Sequence, residues 1–336
     1  MTQSQRGLAR AGSAAQLPAY AGAPVLVLGA SGFIGHRVVA MLAGHGASVT
    51  AAIRRETASE PLLHTGAERT VVCDAADPDA IRSLVGDSRP AITFNVAGYG
   101  VDRAENDECP ANEINAMLPA RLAACLATER LPPWSGLRLV HVGSALEYGR
   151  AGGDLRESTP PEPGTLYGRT KLAGTVSMGE RARESGLPAV TARLFTVYGP
   201  GEHAGRLLPT LLDTVRTGEP VDLTAGMQRR DFVYVDDVAE GLLRLGLSDV
   251  QPGEVVNLAM GELTTVRSFV ERAAHVLGIR PALLRFGLLE TRPEEMNHEP
   301  VSIERLRVLT GWSPTIQIED GVLRALTEVE QLNADV

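Results

Sequence analysis

Short runs rich in apolar residues alternate with stretches of helical spacing along roughly the first two hundred residues of the chain. Pro24–Leu28 has no polar break, as a strand buried on both faces requires. Similar runs recur at 48–53, 70–73, 91–96, 137–142 and 189–195, and each predicts a strand. Between them the apolar positions take a helical period, after the glycine turn at 29–35, from Asp77-Pro78 onward, over 112–128, and around Tyr167. Asp77 is placed to cap a helix and Pro78 to occupy its first turn. At least five strand–helix alternations predict an α/β fold, a doubly wound parallel sheet with right-handed crossovers. Beyond residue 200 the alternation weakens. A helix is expected over 205–217, a strand entering a helix over 229–238, and a final helix from about Glu319, separated by pieces rich in Pro and Gly.

The expected organisation is a flexible leader over 1–22 and a dinucleotide-binding domain over 23–195, to which 230–258 returns. A smaller lobe over 196–229 and 259–336 would cover the carboxyl edge of the sheet and close on a substrate. Residues 1–22 lack the continuous apolar core of a signal peptide, and no run of 18 apolar residues exists to span a membrane.

The first strand runs into Gly29-Ala30-Ser31-Gly32-Phe33-Ile34-Gly35 and then a helix. Three glycines at G-x-x-G-x-x-G spacing serve a plain tight turn or, in this strand–turn–helix setting, let a pyrophosphate approach backbone amides at the positive end of the helix. The turn therefore points to a Rossmann-type dinucleotide site. At the end of the second strand an NAD site usually presents an acid to the ribose hydroxyls. Here stand Arg54 and Arg55, either a solvated loop or two guanidiniums for a 2′-phosphate, and they favour NADP(H). Asp74-Ala75, after the third strand, is placed to accept from the adenine amino group. Asn95, Ala97 and Gly98, after the fourth, would let a cofactor lie close. Gly29, Arg54, Asp74, Asn95 and Ser144 all fall at expected strand carboxyl ends, where one cofactor could touch them all.

Of 32 basic residues only Lys171 is lysine. Four residues upstream is Tyr167, on the same helix face. An ammonium beside a phenol favours phenolate, so Tyr167 is expected to have a lowered pKa and to serve as a proton donor or acceptor. Asn115, among apolar neighbours, is either a satisfied core amide or part of a proton relay.

The net charge of −9 disfavours nucleic acid or an anionic membrane surface as partner. Three cysteines without C-x-x-C fit a reducing cytoplasm, and seven scattered histidines give no metal-ligand spacing, so no metal site is expected.

These residues together resemble the extended short-chain dehydrogenase/reductase family, the branch of nucleotide-sugar epimerases, dehydratases and reductases, from residue 23 onward. The resemblance rests on Gly29, Gly32 and Gly35, on Ser144 in an S-x-x-x-Y-G context, and on Tyr167 with Lys171. It also rests on Arg193-Leu194-Phe195-Thr196-Val197-Tyr198-Gly199-Pro200 and on Arg230-Asp231-Phe232-Val233-Tyr234-Val235-Asp236-Asp237. It implies that Tyr167 is the general acid/base, that Ser144 holds the reacting carbonyl oxygen, and that Lys171 holds the nicotinamide ribose and tunes Tyr167. Arg230 and Arg292 would grip a nucleotide diphosphate, with Arg206 a further nucleotide or lid contact. The family also suggests a homodimer formed through helices.

Three departures narrow the activity. Dehydratases of the family carry Asp-Glu directly after the Ser/Thr, where this chain has Ala145-Leu146. Epimerases of the branch hold NAD and commonly show an acid after the second strand, where Arg54-Arg55 stands. Thr196 replaces an asparagine frequent in the substrate-contacting segment. The expectation is an NADPH-dependent C4-ketoreductase of a nucleotide-activated, dTDP-type 4-keto-6-deoxyhexose. The alternatives are a 4-epimerase with tightly bound NAD and a non-catalytic NADP-sensing protein.

Overall fold

The computed structural model describes residues 17–56, 62, 64–100, 105–291 and 296–334. Seven parallel strands form the central sheet: β1 (Pro24–Leu28), β2 (Ser48–Ile53), β3 (Arg69–Val72), β4 (Ile92–Asn95), β5 (Leu139–Ser144), β6 (Ala189–Leu194) and β7 (Glu254–Leu258). Their order is 7-6-5-4-1-2-3, so the winding reverses between β1 and β4. A crevice opens at such a reversal, outside the carboxyl ends.

The apolar run of β1 has a direct cause. Val25 and Val27 join one core cluster, while Leu26 and Leu28 join another on the opposite face. A strand covered on both faces needs apolar residues at every position. The first cluster includes Val38 and Leu42 of helix α1 (Phe33–Gly44). The second includes Ile81 and Leu84 of α2 (Pro78–Ser88). Each such buried side chain contributes about 1.5–3 kcal/mol.

Helix α3 runs through Glu108–Ala111, Asn112–Met117 and Leu118–Thr128, and its middle piece is wound as a π-helix. Pro119 explains the widening. It has no N–H to give the Asn115 carbonyl, so the regular bond there cannot form. Leu118 N–H reaches back to the Glu113 carbonyl instead. The Asn115 carbonyl packs against α4 (Leu166–Ser185), where a methyl group at Gly174 would lie only 2.0 Å from its oxygen.

The remaining helices are α5 (Leu207–Thr217), α6 (Val235–Gly246), α7 (Val266–Val276), α8 (Glu304–Thr310) and α9 (Ile318–Ala334). Helix α6 packs beside α1 on the sheet, and the chain then enters β7. The other short strands form pairs: Thr196–Tyr198 with Phe232–Tyr234, Arg229–Arg230 with Thr264–Thr265, and Val221–Leu223 with Leu284–Phe286. Phe232 and Phe269 stack at 4.3 Å between them, with Tyr198 edge-on.

Two expectations are corrected. The leader, expected over 1–22, ends sooner among the described residues. Leu17–Tyr20 forms a turn whose Tyr20 is fully buried, donates to the Leu243 carbonyl at 2.7 Å and lies against Trp134. Strand β5 ends two residues later than its apolar run, because Gly143 and Ser144 keep extended pairing with β6. Ser144 is thus both the last strand residue and the cap of the next turn, Ala145–Glu147.

Candidate active site

The turn after β1 is set by close backbone approaches. Gly29 has φ +75°, and a methyl group there would lie 2.7 Å from the Ala97 nitrogen. One at Gly35 would lie 2.0 Å from the Gly29 carbonyl oxygen. Gly32 caps α1 without any side-chain hydrogen bond, so the first amides of that helix are left for an external acceptor. A positive helix end with uncapped amides, reached over glycines, fits a dinucleotide pyrophosphate. Ser31, Phe33 and Ile34 line this turn, half-buried.

Around it the other strand ends contribute unequally. Arg54 and Arg55 are exposed at the end of β2, with no ion-pair partner among the described residues. Asp74 is exposed and turns one carboxylate oxygen to Ala76 N–H at 3.0 Å, with Ala75 half-buried beside it. Ala97 and Gly98 border the crevice. Asn95 does not reach it: the residue is fully buried, accepts from Ala97 N–H at 3.3 Å, and places its amide nitrogen 3.1 Å from His141 Nδ1. It ties β4 to β5 and holds up the loop rather than facing a ligand.

Asn115 is likewise fully committed. Its side chain accepts from Tyr99 N–H at 3.0 Å and donates to the Tyr99 carbonyl at 2.8 Å and to Thr170 at 3.0 Å. These bonds satisfy the amide and pin the loop after β4. That loop passes Tyr167, whose ring would sit 3.3 Å from a methyl group at Gly100.

Tyr167, Lys171 and Ser144 do come together. Ser144 lies close enough to the Tyr167 phenol to oppose the rise in its pKa, and its hydroxyl accepts from Leu146 N–H at 3.2 Å. Lys171 is 1% exposed and donates to the Val142 carbonyl at 2.5 Å. The expected lowering of the Tyr167 pKa by Lys171 is not what this arrangement produces. Burial, then the nearby Glu147 carboxylate, push the phenol up to about 12, against smaller opposing effects of Ser144 and Arg206. Lys171 is itself brought down to about 8 by burial, with Glu147 opposing. Tyr167 is therefore a neutral acid at neutral pH, and Lys171 is largely charged.

Glu147 was not singled out by the sequence. It is 0% exposed, and its carboxylate accepts from Ser144 N–H at 2.8 Å, the Thr175 hydroxyl at 3.1 Å and Arg193 Nε at 2.8 Å. Arg193 lies over the Tyr148 ring at 4.5 Å, and Tyr148 donates to Asn257 at 2.8 Å. An acid three residues after a serine is a capping-box signal, but nothing in the sequence pairs it with Arg193.

A cavity of about 350 Å³ lies toward the C-terminal half, lined by Thr196, Glu202, Arg206, Arg230 and Phe232 among others. Glu202 also escaped the sequence reading. Its side chain is 6% exposed, it pairs with Arg206 at 3.0 Å, and its second carboxylate oxygen is buried with no partner among the described residues. Arg206, on this wall, lies near enough to act electrostatically on Tyr167. Arg292 lies outside the described residues.

Comparison with known proteins agrees with this arrangement. The family model of the NAD-dependent epimerase/dehydratase family matches residues 25–259. The dTDP-6-deoxy-L-talose 4-dehydrogenase (NAD(P)(+)) of Kitasatospora kifunensis is 31% identical over 91% of this chain and 95% of its own length. A probable UDP-glucuronate 4-epimerase of Rhizobium meliloti is 25% identical over 91% and 96%. Among solved structures, MoeE5 in complex with UDP-glucuronic acid and NAD superposes with a TM-score of 0.79 at 26% identity, covering 92% of this chain and 99% of MoeE5.

Proposed function

This chain belongs to the NAD-dependent epimerase/dehydratase family and is an NAD(P)-dependent enzyme of the extended short-chain dehydrogenase/reductase type; from that premise we propose that it is an NADPH-dependent C4-ketoreductase of a dTDP-linked 4-keto-6-deoxyhexose. The observation that carries this reading is a Tyr167 held as a neutral phenol near Ser144, a serine followed by Ala145 and Leu146, which cannot exchange protons with a sugar. The Kitasatospora relative, named for chemistry at C4 of a dTDP-6-deoxyhexose, supports the same reaction class.

NADPH, when bound, supplies the hydride to the sugar C4. The chain supplies the rest. Ser144 and Tyr167 both address the ketone oxygen, and Tyr167 releases its phenolic proton to that oxygen as negative charge develops. Lys171 contributes positive charge beneath them and would hold the ribose next to the nicotinamide. Arg54 and Arg55 would take the 2′-phosphate, and the uncapped amides of α1 the pyrophosphate. Arg230 and Arg206, on the cavity wall, suit the substrate diphosphate.

The test is to mix the purified protein with dTDP-4-keto-6-deoxyglucose and follow reduced-nicotinamide absorbance with NADPH and NADH in parallel. One NADPH consumed per ketone, faster than NADH, is the expected result. No consumption, with NAD released on denaturing the protein, would replace the reductase by a 4-epimerase.

A further inference from the structure

We propose that Glu147 is the positioning residue of the Ser144–Tyr167–Lys171 set: its carboxylate ties the turn carrying Ser144 to the helix carrying Tyr167 and Lys171, and places a fixed negative charge beside them. The proposal rests on the reading of Tyr167 as the proton donor.

The tie is geometric. One carboxylate oxygen accepts from Ser144 N–H at the end of β5 and from the Thr175 hydroxyl on α4. Thr175 stands four residues after Lys171, which stands four after Tyr167, so the three share one helix face. The other oxygen accepts from Arg193 on β6. One side chain therefore connects three elements directly beneath the reacting groups. Space for it is made at Gly143, where a methyl group would lie 2.5 Å from the Glu147 oxygen. Three donors converge on the carboxylate and no acceptor does, which is the bonding pattern of the ionised form.

The charge has a consequence for the direction of proton transfer. Tyr167 is faced by Glu147 from the β5 turn, by Glu105 from the segment before α3, and by Arg206 from the start of α5, with Ser144 nearby. Lys171 is faced by Glu147 and, from β5, by His141, which burial and Lys171 together keep neutral. Glu147 is the group common to both, and its sign favours the phenol over phenolate and the ammonium over the amine. A ketone reductase needs Tyr167 loaded with its proton when substrate arrives. An enzyme that begins by oxidising an alcohol needs it empty. Glu147 thus biases the set toward reduction.

The experiment compares Arg193→Met with the double variant Glu147→Gln, Arg193→Met, so that no buried guanidinium is left without a counter-charge. The chain has six tyrosines. Tyr167 is therefore read as the difference in ultraviolet phenol titration between each protein and its own Tyr167→Phe version. Loss of Glu147 should move that titration down by about one pH unit. The basic limb of kcat/KM for ketone reduction, set by loss of the Lys171 charge, should also move down, because Glu147 helps to hold that ammonium. Thr175→Val, which keeps the charge and removes one tie, should lower kcat severalfold and leave the limb in place. A lower kcat in the double variant with titration and limb unmoved would reduce Glu147 to a structural role and overturn the proposal. If the double variant does not fold, full kcat in Thr175→Val overturns the tie. The phenol titration needs no substrate, so absence of ketone reduction in every protein would count against the reductase and leave Glu147 judged separately.

Discussion

The two sides of the crevice are made of different material. The proposed cofactor side is backbone: uncapped amides at the start of α1, held in place because Gly29 and Gly35 admit contacts that no side chain could share. The proposed substrate side is side chains: Arg206, Arg230, Thr196 and Glu202, brought together from separate segments around one cavity. A backbone surface recognises what every dinucleotide has in common. A side-chain surface can be changed one residue at a time without disturbing the sheet, and specificity belongs there. In the proposed reaction Tyr167 stands at the seam.

The sharpest way to test the seam is Tyr167→Phe. Ketone reduction should fall about a hundredfold to ten-thousandfold while NADPH binding, measured by fluorescence, persists. Retained turnover would show that the proton comes from elsewhere. On the backbone side, Gly35→Ala should destabilise the fold by about 3 kcal/mol in denaturant unfolding, since the new methyl group meets a carbonyl oxygen that has nowhere to go. NADPH affinity should fall with it, and an unchanged melt would mean the turn is more yielding than the contacts imply. Replacing both Arg54 and Arg55 by Ala should cut the preference for NADPH over NADH by about thirtyfold in kcat/KM, two charge-assisted bonds being lost. Equal loss with both cofactors would instead place the pair outside the 2′-phosphate pocket. On the substrate side, Arg230→Gln should raise KM about tenfold with little change in kcat. A fall in kcat alone would move Arg230 from binding to chemistry. The smallest effect is with pH. Lys171 is brought down to about 8, so its charge is full below that value and lost as pH rises through it. Reduction rates should therefore decline across that range in a pH profile, and Lys171→Arg, which stays charged, should lack this step.

The same contrast explains how much could be read in the chain. Glycine spacing, the apolar strands and the solitary lysine are local signals, and they located the sheet, the cofactor turn and the Tyr167–Lys171 pair. The side-chain face left no such trace. Glu147 finds its cation on another strand, 46 residues away, and Glu202 reads as one acid in a glycine-rich turn. Asn95 and Asn115 were legible as polar residues at the right strand end and helix. Whether they face a ligand or the interior depends on the loop each one holds, which neither periodicity nor composition fixes. The Tyr167 pKa went the other way from expectation for a related reason. The i, i+4 spacing places a cation on the same helix face, but the Lys171 ammonium is turned to the Val142 carbonyl, and burial, then an acid on a different element, decide the direction.

The solitary lysine also makes the molecule its own reporter. Every side-chain amine in the protein is the one on Lys171, and it is sealed beneath the crevice. An acylating reagent can therefore modify a side-chain amine only when the floor of the site opens, so the labelling rate counts openings of that region and of no other. A bound cofactor should slow the count. A protease that cuts after lysine has a single target, within α4, and its cleavage would mark the loss of that helix in one step.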